Sequence, residues 1–205
     1  MAKQKYYVVW RGRGPGIYDS WAECDAQVKG FPGAKYKSFA SRELAKVAFR
    51  GSYEDYEGKS GSSQLWLIAK IKPILPSICV DAACSGSPGP LEYRGVLTES
   101  GQQIFRVGPH QDGTNNVGEF LAIVKARDWI GSKKRDWPIY SDSASAIKWV
   151  EAGRSNTKLR RLSSNKHLFD LISSAEQKLT KYGNFKVLKW DTQAWGEIPA
   201  DFGRK

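Results

Sequence analysis

A stretch of small and polar residues without hydrophobic periodicity divides the chain into two parts. Residues 51–63 have the sequence GSYEDYEGKSGSS, a composition typical of a flexible linker. The apolar stretch 65–69 predicts either an extra strand or an apolar part of that linker. We therefore predict a first domain over residues 1–50, a linker over 51–73 and a second domain over 74–205, sizes that are usual for protein domains.

The charge of the chain favours a polyanionic partner. The formal net charge is +11, and residues 1–50 carry ten Lys and Arg against four Asp and Glu, a local net charge of +6. Nine aromatic residues are interleaved with these charges. No amphipathic basic helix stands out that would suit a membrane surface, so nucleic acid is the favoured partner.

The chain has the features of a cytoplasmic protein. No apolar run approaches the roughly 20 residues that cross a bilayer, and the N-terminal stretch is too short and too aromatic for a signal peptide. The three cysteines (Cys24, Cys79 and Cys84) have no Cys-x-x-Cys spacing, and only two histidines accompany them. Reduced thiols are therefore favoured over a zinc site.

Each part has its own pattern of predicted elements. In the first, strands over 5–10, 17–18 and 35–39 accompany a helix that Ser20 and Glu23 cap and a helix that begins at Ser41, which together make a small α/β sheet. The second alternates strands and helices and predicts a mixed α/β sheet with helices on its faces. Its strands lie over 77–82, 93–98, 103–107, 138–141 and 185–190, and its helices over 119–130, 142–151, after 164 and over 199–204.

Four carboxylates of the second part are candidate metal ligands. Asp81 interrupts an apolar strand, Asp142 ends another, Glu119 falls in a first helical turn and Asp201 lies near the C-terminus. Each of three carboxylates also has a structural explanation. Glu119 could pair with Asn116 in a helix cap, and Asp142 could be an N-cap. Asp201 could interact favourably with the dipole at the N-terminal end of the last helix. A carboxylate inside an apolar strand is costly unless paired, and four that converge would need divalent cations.

Four motifs around these carboxylates resemble those of type 1 ribonuclease H, in the order of that family. They lie at residues 80–90, 114–120, 140–143 and 200–202, and the resemblance covers about residues 76–205. It implies a ribonuclease H-like mixed five-stranded sheet and hydrolysis of the RNA strand of RNA–DNA hybrids, with 5′-phosphate and 3′-hydroxyl ends. It also implies two Mg²⁺ ions, for which Mn²⁺ could substitute. Asp81 would bridge both ions, Asp201 would complete one site, and Glu119 and Asp142 would support the other.

The first part resembles the hybrid-binding domain that precedes many type 1 enzymes. The matching runs are residues 6–13, 16–18 and 31–39, with Trp21 between them. The resemblance implies that Trp21, Tyr36 and Lys37 contact an RNA–DNA hybrid or double-stranded RNA, with rings against sugars or bases and the lysine on phosphate. The alternative is that the two aromatic residues belong to the core.

The family resemblance also implies contacts in the second part. The RNA strand would be read through its 2′-hydroxyls by Asn115 and by the loop with Cys84, Gly86 and Ser87. A pocket for a DNA-strand phosphate would use Thr114, Asn116, Thr157 and Lys158. No obligate protein partner is implied, and a monomer is expected.

The segment before Asp201 lacks the histidine that many relatives carry there. Its Trp-Gly-Glu-Ile-x-Ala-Asp sequence resembles a bacterial subgroup in which a glutamate takes the auxiliary role. Glu197 would then assist metal movement and product release. The alternative is an exposed Glu197 without a role.

Two rival functions remain open from the sequence. One is a non-catalytic binding protein for hybrids or double-stranded RNA that keeps the ribonuclease H-like fold. The other is a nuclease or integrase of the same superfamily that acts on DNA. The presence of all four carboxylates argues against the first rival.

Overall fold

The computed structural model describes residues 4–57, 65–183 and 185–203. These residues form two compact units. The first takes the described residues of Met1–Lys72 and the segment Gln193–Glu197, and the second takes those of Pro73–Thr192 and Ile198–Lys205. The predicted linker falls in part on residues 58–64, which lie outside the described residues.

The first unit contains the predicted three-stranded sheet with two helices. Its elements are β1 (Tyr6–Arg11), β2 (Gly16–Tyr18), α1 (Trp21–Val28), β3 (Lys35–Phe39) and α2 (Arg42–Arg50). The sheet is antiparallel in the order β2-β1-β3. Helix α1 begins with the predicted capping box, in which Ser20 Oγ accepts from the Glu23 amide at 3.3 Å and Glu23 accepts from the Ser20 amide at 3.1 Å.

Neighbouring residues of β1 serve two cores because side chains alternate along a strand. Val8 packs with Phe39 and the buried face of α2, and Val9 packs with Cys24 and Val28. The first core continues beyond residue 50, because the ring of Tyr56 joins it. The predicted strand alternative for residues 65–69 is wrong: Leu65–Leu67 forms one turn of 3-10 helix.

The second unit contains the predicted mixed sheet of five strands. Its strands are β4 (Ile78–Cys84), β5 (Gly89–Leu97), β6 (Gln103–Gly113), β7 (Ile139–Ser141) and β8 (Val187–Lys189), in the order β6-β5-β4-β7-β8. The first three are antiparallel, and β4, β7 and β8 are parallel. Its helices are α3 (Asn115–Ser132), α4 (Ala144–Glu151) and α5 (Lys166–Tyr182), and a short helix α6 (Thr192–Trp195) follows β8.

A glycine brings the start of α3 against the sheet. A side-chain carbon at Gly118 would lie 2.5 Å from Leu91 Cδ1 and 2.7 Å from Ala82 Cβ. Any larger residue would push the first turn of α3 away from β4. This close approach places Glu119, the next residue, beside the carboxyl end of β4.

The predicted helix over residues 199–204 is wrong in its described part. Residues 199–203 form a turn and irregular chain, in which the Asp201 amide donates to the Ile198 carbonyl at 2.8 Å. Isolated helical segments this short are unstable, and here side-chain donors from the sheet take the backbone carbonyls instead. In the described part of the chain, no helix is long and apolar enough to span a bilayer.

Candidate metal centre and nucleic-acid contacts

Three of the four predicted carboxylates lie together at one edge of the second unit's sheet. Asp81 comes from β4, Glu119 from the first turns of α3, and Asp142 directly follows β7. Each offers one carboxylate oxygen, and these oxygens all lie within 4.8 Å of one another. Because β4 and β7 are parallel neighbours, their carboxyl ends meet at the same edge.

Asp201 lies next to this group without being part of it. The amide of Phe202 donates to Asp81 Oδ2 at 3.2 Å, so the chain around Asp201 contacts the carboxylate of β4. The Asp201 carboxylate accepts from the Gly203 amide at 3.0 Å, and its charge contributes to the raised pKa of Asp81. The structure therefore gathers three of the predicted ligands and places the fourth residue beside them.

Burial makes two carboxylates of this cluster, Asp81 and Glu119, reluctant to ionise. Asp81 is 7% exposed and Glu119 is 4% exposed. Burial, followed by the charge of Asp142, raises the pKa of Asp81 to about 7. Burial and the charges of Asp81 and Asp142 raise the pKa of Glu119 to about 9. Hard carboxylate oxygens that repel one another at this distance fit a divalent cation such as Mg²⁺, Mn²⁺ or Ca²⁺, which would remove the repulsion.

The structure excludes the helix-cap explanations for these carboxylates. Ser143, rather than Asp142, caps α4, because its hydroxyl accepts from the Ala146 amide at 3.2 Å. Helix α3 begins after Thr114, so Asn116 lies within the helix and is not its cap. The described residues around Asp201 form no helix, so an interaction of Asp201 with a helix dipole does not explain its position.

Sequence reasoning missed two residues that support the cluster. Ser141 is fully buried, and its hydroxyl donates to Glu119 Oε2 at 3.0 Å. The ammonium group of Lys189 donates to the Asp142 backbone carbonyl, and its charge opposes the rise in the pKa of Glu119. A serine and a lysine at the ends of strands are only a weak indication of such a role in the sequence. Their contacts with the cluster depend on the parallel register that pairs Ser141 with Lys189.

The residues predicted to contact the RNA strand lie at the end of β4, in the loop after it and at the start of α3. Cys84 ends β4, and its thiol donates to the carbonyls of Gly89 at 3.5 Å and Gly113 at 3.3 Å. Gly86 has a φ of +129°, which favours glycine. Asn115, the first residue of α3, donates to Glu119 Oε1 at 3.5 Å. Asn115 thus links the predicted substrate contacts to the carboxylate cluster.

The predicted phosphate-pocket residues line one cleft of about 500 Å³. Thr114, Asn116, Thr157 and Lys158 all contribute to its walls, as does Ser87 from the β4–β5 loop. Sequence reasoning missed two further polar residues of the lining, Asn156 and Arg160. The cleft offers hydroxyl, amide and cationic groups, which is a donor set suited to a phosphate.

In the first unit, three rings form what we call the aromatic face: Tyr7, Trp21 and Tyr36. The ring of Trp21 lies 5.6 Å from that of Tyr7 and 5.7 Å from that of Tyr36. Trp21 is 46% exposed and Tyr36 is 40% exposed, so the alternative that they are core residues is wrong. Lys37 follows Tyr36 on the edge strand β3. Because side chains alternate along a strand, the side chain of Lys37 lies on the face of the sheet opposite to that of Tyr36. Partial burial lowers the pKa of Lys37.

Glu197 is half-buried and lies in the segment Gln193–Glu197 that clusters with the first unit. Its predicted auxiliary role therefore stays a prediction.

Known proteins match parts of this chain. Residues 5–49 match the family model described as the Ribonuclease H1 N-terminal domain. A ribonuclease H from Schizosaccharomyces pombe is 46% identical over 59 residues, which cover 29% of this chain and 22% of that protein. Ribonucleases H from Neorickettsia sennetsu and Syntrophomonas wolfei are 33% and 36% identical over 84 and 76 residues. These matches cover 38% and 37% of this chain and 56% and 52% of the two relatives, so the chain spans only about half of their length.

Among solved structures, RNase H1 from the halophilic archaeon Halobacterium salinarum aligns over 56% of this chain and 83% of that chain. The identity is 19% and the TM-score is 0.36, which is a low overall likeness. The sequence matches support the resemblance to type 1 ribonucleases H with an N-terminal hybrid-binding domain.

Proposed function

We propose that this protein is an endoribonuclease that hydrolyses the RNA strand of RNA–DNA hybrids and leaves 5′-phosphate and 3′-hydroxyl ends. The observation that carries the proposal is the group of three carboxylates, Asp81, Glu119 and Asp142, whose oxygens lie within 4.8 Å of one another. The matches to proteins named ribonuclease H support the same activity.

We assign two Mg²⁺ ions to this site, with Mn²⁺ as a substitute. Asp81 would contact both ions, Asp201 would complete one site, and Glu119 and Asp142 would hold the other. When bound, such ions supply an activated water and stabilise the leaving 3′ oxygen. The chain's own contribution is orientation: the Ser141 hydroxyl and the Asn115 amide hold Glu119, and the Phe202 amide holds Asp81.

Substrate selection is assigned to groups around the cluster. Asn115 and the loop with Cys84, Gly86 and Ser87 would read the 2′-hydroxyls of the RNA strand. The cleft with Thr114, Asn116, Thr157 and Lys158 would hold a phosphate of the DNA strand, with Asn156 and Arg160 as further donors.

The first unit would bind the hybrid through its aromatic face and basic residues. The exposure of Trp21 and Tyr36 supports this role, since stacking requires accessible rings. Lys37 would contact a phosphate from the edge strand. A flexible segment between this domain, whose core extends past residue 50 to Tyr56, and the catalytic domain (74–205) would keep the active site near bound substrate and aid repeated cutting.

Glu197 would assist metal movement and product release, as in the bacterial subgroup with the Trp-Gly-Glu-Ile-x-Ala-Asp motif. Its half-buried position is compatible with a group that moves between solvent and a binding partner. We further propose a cytoplasmic location and a monomeric state. A dimer mass in light scattering would contradict the latter.

A cleavage assay on matched duplexes tests the proposal. Hybrid, double-stranded RNA and duplex DNA of one sequence are offered with Mg²⁺ or with a chelator. We expect cutting of the RNA strand of the hybrid only, and only with metal. Hybrid binding without cutting would favour the non-catalytic rival, and preferential cutting of DNA would favour the DNA-acting one.

The Asp81→Asn variant is the control for this assay. It is expected to bind hybrid as the wild type does and to leave it intact, because it removes the carboxylate predicted to contact both ions. If the variant still cleaves, the metal-site assignment is wrong.

A further inference from the structure

The backbone that carries Asp201 is held by an arginine from the sheet. Arg94 Nε donates to the Ala200 carbonyl at 2.7 Å, and a second guanidinium nitrogen donates to the Asp201 carbonyl. The guanidinium also lies over the Phe202 ring, 4.7 Å from its centroid. One side chain thus contacts three successive residues of the C-terminal segment, whose described residues 199–203 form no helix.

The same segment contacts the carboxylate cluster. Directly after Asp201, the Phe202 amide donates to Asp81 Oδ2 at 3.2 Å. Asp81 and Arg94 are direct partners in the register of β4 and β5. The arginine and the carboxylate therefore hold the segment from adjacent positions on two strands, and the position of Asp201 depends on both.

A second arginine, opposite Arg94 in the sheet, makes different hydrogen bonds. Arg106 is the direct partner of Arg94 on β6, and it lies over the same Phe202 ring at 5.6 Å. Its guanidinium donates to Glu92 Oε2 at 2.7 Å, whereas Arg94 donates to the C-terminal carbonyls. Like charges directly opposite each other in a sheet repel, and the separate acceptors of each arginine offset that cost.

We propose that Arg94 is a positioning residue for the metal site: it fixes the Ala200–Phe202 backbone so that the Asp201 carboxylate stays within reach of the ions. This inference rests on the proposed function. Arg94 touches neither substrate nor reacting atoms in this role. A guanidinium suits it because its planar fork donates two bonds in fixed directions to two carbonyls, which a lysine ammonium does not reproduce.

Metal binding measured without substrate provides the first test. Calorimetric titration with Mn²⁺ compares the wild type with Arg94→Met, Arg94→Lys and the matched control Arg106→Met. Loss of an outer-shell residue typically weakens metal binding about 10- to 100-fold, so we expect about tenfold weaker binding in Arg94→Met and a change below about twofold in Arg106→Met. Arg94→Lys keeps the charge and decides the question if Arg94→Met does not fold.

Cleavage kinetics provide the second readout. The Mg²⁺ concentration for half-maximal cleavage should rise in both Arg94 variants, with an unchanged KM for the hybrid. A merely structural role would lower stability without this shift.

Two results would overturn the inference alone: Arg94 variants that bind Mn²⁺ like the wild type, or Arg94→Met and Arg106→Met variants that weaken binding equally. If the wild type itself binds no Mn²⁺, or Asp81→Asn binds it as tightly as the wild type, the proposed metal site fails and this inference fails with it.

Discussion

Two carboxylates of the cluster in the second unit are buried, whereas two rings of the aromatic face in the first unit are exposed. Asp81 and Glu119 are almost inaccessible, while Trp21 and Tyr36 are about half exposed. A metal site gains from burial because low polarity strengthens its electrostatics, and a stacking surface needs open rings. The two regions therefore have different requirements. The cluster depends on precise support by neighbouring residues, and the aromatic face depends on a few accessible side chains.

The largest effect is expected at the buried cluster. Asp142→Asn should lower cleavage by more than about 100-fold, because loss of a directly binding group should exceed the effect of losing an outer-shell residue. Hybrid binding by the same variant should be unchanged in a filter-binding assay. The exposed Glu99, in the β5–β6 turn, provides a matched control, and Glu99→Gln should cleave normally. Full activity in Asp142→Asn would break the contrast between the two regions.

An intermediate effect is expected at the aromatic face. Trp21→Ala should weaken hybrid binding about tenfold, since base–aromatic stacking contributes about 1–3 kcal/mol. Because the carboxylates are untouched, kcat should stay constant while KM rises. Phe49→Ala removes another exposed ring of the first unit that lies outside the aromatic face, and it should have little effect. Equal losses in both variants would show that the face has no special role.

A smaller effect is expected at the cleft of the second unit. Lys158→Ala should weaken binding a few-fold and lower the slope of log affinity against log salt by about 1, because one phosphate contact is lost. The control is Lys181→Ala, an exposed lysine near the end of α5 that does not line the cleft. An unchanged salt dependence in Lys158→Ala would remove that lysine from the interface.

The pH dependence of stability separates the two regions without substrate. A carboxyl whose pKa is higher in the folded protein than in the unfolded chain stabilises the fold when protonated. The contribution of such a carboxyl to the free energy of unfolding is complete below the unfolded pKa of about 4. In the metal-free protein this stabilisation is lost as the pH rises through about 7 for Asp81 and about 9 for Glu119. Thermal unfolding should therefore show a larger gain in Tm from Mg²⁺ at about pH 9 than at about pH 5, since ions replace the lost protons.

Two variants, Asp81→Asn and Trp21→Ala, provide controls for the predicted pH dependence of the gain in Tm. Asp81→Asn should raise the Tm of the metal-free protein at alkaline pH and reduce the gain from Mg²⁺. Each kcal/mol corresponds to about 2–4 °C for a chain of this size. Trp21→Ala should leave the gain unchanged. An equal gain from Mg²⁺ at all pH values in the wild type would contradict the raised pKa values.

Local structure could be predicted well from the sequence, whereas contacts between residues far apart in the chain could not. The capping box at Ser20 and the strands of the mixed sheet follow from short-range patterns and were confirmed, as was the five-stranded sheet that the family resemblance implied. The support of the cluster by Ser141 and Arg94 depends on strand register and on a turn far along the chain, which no local pattern encodes. The helix predicted over 199–204 failed for the same reason, because tertiary hydrogen bonds from Arg94 replaced local ones.

The proposed function depends on divalent metal ions held by Asp81, Glu119 and Asp142. Anomalous diffraction from crystals of the full chain grown with Mn²⁺ would locate such ions. We expect anomalous peaks in contact with these three carboxylates, and their loss in the Asp81→Asn variant. Mn²⁺ peaks elsewhere on the molecule, with no peak among these three carboxylates, would contradict this expectation.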